Sequence, residues 1–171
     1  MQRRAIAHGA VLRDRSPVRA IVPRADGVDI VLADGTAYSA ARVVVSAATW
    51  AAQLLAPLGW DLPLTVTEEQ VTYFTPADPE PFRPGRFPVW IWMDEPSYYG
   101  FPTYGEDTVK AAQDCGGPTV TGDDRSMVEN AAMRDRLGAF MASTFPASGP
   151  ATRSKRCLYT LTPDRDFVVS A

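Results

Sequence analysis

The sequence predicts an α+β chain, in which the back half of a doubly wound, Rossmann-like nucleotide-binding unit precedes an antiparallel-sheet lobe with one packed helix. Three observations predict it. Residues 3–58 run in the order helix, strand pair, apolar strand, helix. After Pro63 the pattern changes to short β-branched and aromatic stretches separated by turns. One helical stretch then interrupts these strands before a last one near the C-terminus.

Each element has its own signal. Residues 3–10 read as the tail of a helix that His8-Gly9 would end. Segments 18–22 and 28–32 flank Asp26-Gly27, a hairpin signal, and Asp34-Gly35 marks a second turn. Residues 41–47 are largely apolar and rich in valine, predicting a buried strand with both faces covered. Trp50, Leu54, Leu55 and Leu58 recur on one side of a helix that Gly59 would close. Beyond Pro63, strands are predicted over 66–74, 89–93, 98–101 and 108–112, with a proline-rich loop at 78–85. An amphipathic helix follows over 127–140, with Met127, Ala131, Leu137 and Phe140 on its apolar side. A strand covers 155–161, and 167–169 begins another. No strand leads into a glycine-rich turn able to cradle a pyrophosphate; Gly116-Gly117-Pro118 reads as a simple turn.

Composition narrows the function classes. At 171 residues the chain can form one compact domain or two small lobes. The net charge of −3, with neither sign in a long block, argues against nucleic acid as a partner and leaves small substrates open. Apolar runs are too short to span a bilayer, and residues 1–9 hold no apolar core of signal-peptide length, so no membrane partner and a cytoplasmic location are expected. Two cysteines, Cys115 and Cys157, make no disulfide framework, and a single histidine makes no Cys/His zinc set, so no metal is expected.

Some residues stand out as candidates for chemistry. Tyr98 and Tyr99 alternate on a strand, so one of them shares a face with whatever Lys110 faces. Lys110 sits in an apolar Thr-Val-Lys-Ala-Ala segment, where its ammonium either enters a lined cavity or belongs to an ordinary strand edge. Cys157 and Tyr159, two apart, share one strand face; a cysteine there is ordinarily a small buried hydrophobe.

Taken in order, Ser97-Tyr98-Tyr99-Gly100-Phe101-Pro102, Thr108-Val109-Lys110 and Lys155-Arg156-Cys157-Leu158-Tyr159-Thr160 resemble the second half of the monomeric sarcosine oxidase family. These N-methyl amino acid oxidases are FAD-dependent amine oxidoreductases of the D-amino acid oxidase superfamily. The resemblance extends to Ser16-Pro17-Val18, to the passage from Val44 to Trp50 and to Gln70-Val71-Thr72-Tyr73-Phe74, so it runs from about residue 3 to 169.

The resemblance implies FAD, attached through Cys157 to the ring's 8α-methyl, with Lys155 and Arg156 lowering the thiol's pKa. It implies that Tyr99 and Tyr159 line the substrate pocket, Tyr99 near the substrate carboxylate. Lys110 would promote the reaction of reduced flavin with dioxygen by stabilising developing negative charge. Val18 would touch the adenine through its backbone, and Ala47 and Trp50 would lie on the passage approaching the dinucleotide. Ala48 stands there where the family usually has glycine. Four residues after the lysine, where the family often has histidine, this chain has Asp114, which would repel a carboxylate or pair with Lys110.

The implied reaction is oxidation of the C–N bond of a secondary amine or N-methyl amino acid, giving imine and hydrogen peroxide, with the small amine and dioxygen as partners. Residues 1–62 would be a partial FAD-binding domain, 63–161 the substrate-binding lobe, and 162–171 a truncated return into the FAD domain. The alternative is a non-catalytic fragment or remnant retaining only the substrate lobe. Absence of the glycine-rich and closing flavin loops favours it, and would leave FAD binding by this chain alone weak and its exposed edges prone to self-association.

Overall fold

The computed structural model describes residues 1–169, and the chain divides into two units, Met1–Leu62 and Pro63–Ala171. With its two antiparallel sheets and few helices, it is the α+β chain that the sequence predicts.

The first unit opens with α1 (Gln2–Ala7), followed by Gly9 at φ +86, where a left-handed turn suits glycine. Strands β1 (Val18–Arg24), β2 (Gly27–Leu32) and β3 (Ala37–Ala40) form an antiparallel meander in that order. The Asp26-Gly27 hairpin is where the turn chemistry puts it, and Ile21, Val28 and Leu32 are the buried apolar residues of this small sheet. Residues 41–47 depart from expectation. They form no strand, and Val43 and Val44 are 40% and 89% exposed. A β-branched run becomes a buried strand only where a neighbour completes its ladder, and among the described residues β3 pairs with β2 alone.

The helix predicted over 50–58 is broken into a 3-10 turn (Ala48–Trp50), α2 (Ala51–Leu55) and a second 3-10 turn (Ala56–Leu58) that ends at Gly59, φ +85. Pro57 lies in the first positions of that last turn and offers no amide for an α-helical bond.

The second unit is built on a five-stranded antiparallel sheet in the order β5-β6-β7-β4-β8. Its strands are β4 (Thr65–Phe74), β5 (Trp90–Trp92), β6 (Tyr98–Phe101), β7 (Val109–Gln113) and β8 (Ala151–Leu161). Helix α3 (Ala131–Thr144) packs on one sheet face. There Phe74, Tyr98, Val109 and Ala111 meet Leu137 and Met141, and the Tyr98 ring stacks on Phe140 at 4.2 Å between centroids. Full burial of a side chain such as Phe74 or Met141 contributes about 1.5–3 kcal/mol. Gly100 is needed beneath Trp90, whose ring occupies the space a Cβ would take.

Asn130 fixes where α3 begins. Its side chain accepts from the Met133 amide at 3.2 Å, and its backbone pairs reciprocally with the Gln70 side chain at 2.8 and 3.1 Å. The predicted start at Met127 is therefore too early: Met127 precedes the cap and is 75% exposed. The buried stripe is Met133, Leu137 and Met141. Residues 167–169 form no strand and are exposed.

Candidate functional site

Residues paired across an antiparallel ladder lie on one sheet face, so the register sorts the candidate residues. Tyr99 opposes Ala112 and Phe101 opposes Lys110 between β6 and β7; Lys110 opposes Tyr73 between β7 and β4. Across β4 and β8, Tyr73 opposes Arg153, Glu69 opposes Cys157 and Thr67 opposes Tyr159. Tyr99, Lys110, Cys157 and Tyr159 therefore share the face opposite α3, while Tyr98 points into the core.

The Tyr99 and Tyr159 hydroxyls meet at 3.1 Å, although two strands separate β6 from β8. The phenols thus close over a sheet face whose intervening strands carry the buried Ala112, Glu69 and Val71. Burial is the first cause that lifts both phenols above their ordinary value, Tyr159 further than Tyr99 because the hydrogen bond adds to it. Both remain neutral donors at neutral pH.

Lys110 Nζ lies 5.0 Å from the Phe101 ring centroid, and among the described residues it forms no ion pair. Asp114 is exposed and does not pair with it. Lys110 also lines a cavity of about 490 Å³ with Tyr73, Val89, Phe101, Tyr104 and Thr108. The Thr108 hydroxyl is buried without a hydrogen-bond partner. Beside this cavity Arg153 sits 3.8 Å over the Tyr73 ring and pairs with Glu106.

Cys157 is half-buried and unpaired. Burial raises its thiol pKa, and the Glu69 charge raises it further; Lys110 and Arg156 work in the opposite direction without prevailing. Arg156 thus lowers it as expected but is outweighed, and Lys155 is not among the causes. Arg156 alternates to the helix face, where it forms a buried ion pair with Glu68 at 2.8 Å, and Lys155 lies 5.8 Å over the Tyr73 ring.

In the first unit Val18 and Ala47 line one apolar cavity of about 250 Å³, together with Ile21, Ile30, Val44 and Leu54. Trp50 is not among its walls and is 36% exposed. Between Ala47 and Trp50, Ala48 adopts φ +44, a glycine-favouring conformation, and the Thr49 hydroxyl is buried without a partner. An apolar groove of this kind suits the flat face of a ligand, so Val18 and Ala47 fit part of FAD.

Sequence reasoning missed Glu69. Its carboxylate is 1% exposed and accepts from the Thr67 hydroxyl at 2.7 Å and from the Gly116 and Gly117 amides at 3.0–3.2 Å. Its signal was available only in combination: an acid inside a predicted strand, and a Gly-Gly turn presenting adjacent amides.

The sequence matches the FAD dependent oxidoreductase (DAO) family over residues 1–171. The chain belongs to that family. Relatives within reach include the N-methyl-L-tryptophan oxidases of Yersinia pestis and Yersinia pseudotuberculosis, each 33% identical over 165 residues, 90% of this chain and 40% of theirs. The chain thus spans about two fifths of the length of these relatives. Among solved structures, NikD, an amino acid oxidase of nikkomycin biosynthesis, superposes with a TM-score of 0.78 at 27% identity, covering 94% of this chain and 42% of that one. Glycine oxidase from Geobacillus kaustophilus shares the fold, with a TM-score of 0.72 at 20% identity, over 94% of this chain and 40% of its own. The resemblance read from the sequence is borne out at the level of the family, whose cofactor is FAD. No helix among the described residues is long and apolar enough to cross a membrane, and no group of His, Cys, Asp or Glu is placed to hold a metal.

Proposed function

We propose that this chain carries the substrate-side sheet and the flavin-attachment strand of an FAD-dependent oxidase acting on the C–N bond of N-methyl amino acids, with imine and hydrogen peroxide as products. One observation carries the reading: the Tyr99–Tyr159 hydrogen bond closes over the sheet face that also bears Lys110 and Cys157. Bound FAD would supply the two-electron acceptor. Cys157 would hold its ring covalently, while Val18 and Ala47, with Trp50 beside them, would hold its adenosine side. Residues 1–62 would then be part of the FAD-binding domain, 63–161 the substrate lobe and 162–171 a return toward the first.

The chain's own groups have separable tasks in this reading. Tyr99, neutral and accepting from Tyr159, would donate its own hydrogen bond to the substrate carboxylate, and the pair would exclude water. Lys110, free of a carboxylate partner among the described residues, would hold positive charge where negative charge develops on dioxygen. The aromatic-walled cavity beside Lys110 favours a substrate with a large flat side chain over sarcosine, in keeping with the N-methyl-L-tryptophan oxidases it is similar to. Free thiols at Cys115 and Cys157 support a cytoplasmic location. The outer position of β8 in its sheet supports self-association through that edge.

The test is the protein expressed from its whole reading frame in flavin-replete cells, then denatured in acid and digested. Yellow colour should survive denaturation, and the peptide containing Cys157 should be heavier by one FAD. Cys157→Ser should lose both signals. An unmodified Cys157 peptide from a yellow wild-type protein would overturn covalent attachment, and a colourless protein would overturn the flavin reading.

A further inference from the structure

Glu69 is the most buried charged residue among those described, and nothing in the proposed reaction uses it. Both of its oxygens are occupied. Oε1 accepts from the Thr67 hydroxyl at 2.7 Å and the Gly117 amide at 3.2 Å; Oε2 accepts from the Gly116 amide at 3.1 Å and the Gly117 amide at 3.0 Å. The turn is shaped for it, because a Cβ on Gly117 would collide with the Glu68 carbonyl. A group surrounded by donors alone must be an acceptor alone, as an ionised carboxylate is. Burying that charge costs several kcal/mol in lost hydration, and the hydrogen bonds offset it. Its register partner on the same face is Cys157.

We propose that Glu69 is a positioning residue for Cys157: a fixed anion across the β4–β8 ladder that keeps the sulfur in its thiol form. The register pairs Glu69 with Cys157 on one sheet face, and both burial and the Glu69 charge act on Cys157 in that direction. The other groups facing the thiol do not cancel it. Lys110 on β7 leans over the Phe101 ring, Lys155 on β8 over Tyr73, and Arg156 turns to Glu68 on the opposite face. Tyr159, the remaining titratable neighbour on β8, is a neutral phenol. The biological meaning rests on the proposed attachment role of Cys157, but the thiol chemistry is measurable with no cofactor present.

The experiment follows the rate of Cys157 alkylation by iodoacetamide against pH, in a Cys115→Ser background. The folded chain should show a midpoint above that of the same chain in denaturant, with slower alkylation at pH 8. Glu69→Gln should lower the midpoint and speed alkylation at pH 8 several-fold, leaving the limiting rate at high pH unchanged. Thr67→Val, which removes one donor and keeps the charge, should leave the midpoint in place. A Glu69→Gln variant that changes only the limiting rate would make the residue merely structural and overturn the proposal.

A second measurement needs no variant at Glu69. In the Cys115→Ser chain labelled with carboxyl-¹³C glutamate, the Glu69 carbon should shift with the alkylation midpoint and lose that step once Cys157 is alkylated. Absence of the step overturns the proposal even if Glu69→Gln fails to fold. Neither measurement involves flavin, so their failure is distinguishable from failure of the attachment test.

Discussion

At single positions, the clearest strain lies at Ala48. Its φ of +44 forces a Cβ into the left-handed region, which costs an L-residue about 1–2 kcal/mol and glycine nothing. Glycine is also what the sarcosine oxidase pattern would put there, so the departure visible in the sequence coincides with strained backbone. Ala48→Gly should therefore stabilise the first unit by about 1 kcal/mol, less the entropy glycine adds to the unfolded chain. Urea unfolding followed at Trp50 and Trp60 reads the change; a loss of stability would show that the local conformation relaxes around alanine. Glu69 makes a different point. The sequence displays Glu68-Glu69 as a polar pair in a strand, which ordinarily marks a solvated edge, and only the register reveals that each has its own buried partner set. Side-chain satisfaction at long range has no local signature, so this part of the site was legible only by combining the strand acid with the distant Gly-Gly turn.

Among the elements, β4 shows why. Its sequence, Thr-Val-Thr-Glu-Glu-Gln-Val-Thr-Tyr-Phe, has little apolar alternation, yet the strand is interior to the sheet and mostly buried. The strand itself was legible from β-branched content and bounding prolines; its interior place was not, because pairing with β7 and β8 is decided by residues far along the chain. The reverse failure occurs at residues 41–47, where ideal strand composition produces no strand because no partner is at hand among the described residues. Likewise the start of α3 is fixed by Asn130 bonding to Gln70, sixty positions away, rather than by its own periodicity. The polar interior of β4 leads to a prediction at this scale. Arg156 and Glu68 are 6% and 4% exposed in their side chains, so Arg156→Met should strand a buried carboxylate and cost about 3–5 kcal/mol. The double change Arg156→Met with Glu68→Leu should recover most of that loss, since the desolvation of both charges is removed together. Denaturant unfolding of the four members of this cycle measures it, and a double variant as unstable as Arg156→Met alone would show that the charges do more than neutralise each other.

For the molecule as a whole, the two units differ in what they bury. The aromatic and aliphatic cluster of Phe74, Phe82, Tyr98, Val109, Ala111, Leu137 and Met141 lies wholly within Pro63–Ala171. The first unit, Met1–Leu62, has Ile21, Val28 and Leu32 as its buried apolar side chains. A small unit with so thin a core cannot offset its chain entropy by apolar burial alone, whereas the second has a five-stranded sheet covered by a helix. Residues 63–171 expressed alone should therefore fold, showing near-ultraviolet dichroism from the Tyr98–Phe140 and Trp90–Phe145 contacts and a single cooperative urea transition with a slope of about 1 kcal/mol/M or more. Hydrogen exchange should be slowest in β4 and β7, two of the three interior strands, and fastest in the three-residue edge strand β5. Residues 1–62 alone should exchange throughout and unfold without a cooperative step. Because Tyr99, Lys110, Cys157 and Tyr159 all belong to the second unit, its independent folding would mean that the sheet face bearing them is specified by this unit's own packing. A non-cooperative 63–171 would instead show that the helix-packed core is insufficient, and that the face depends on more of the chain than the strands that carry it.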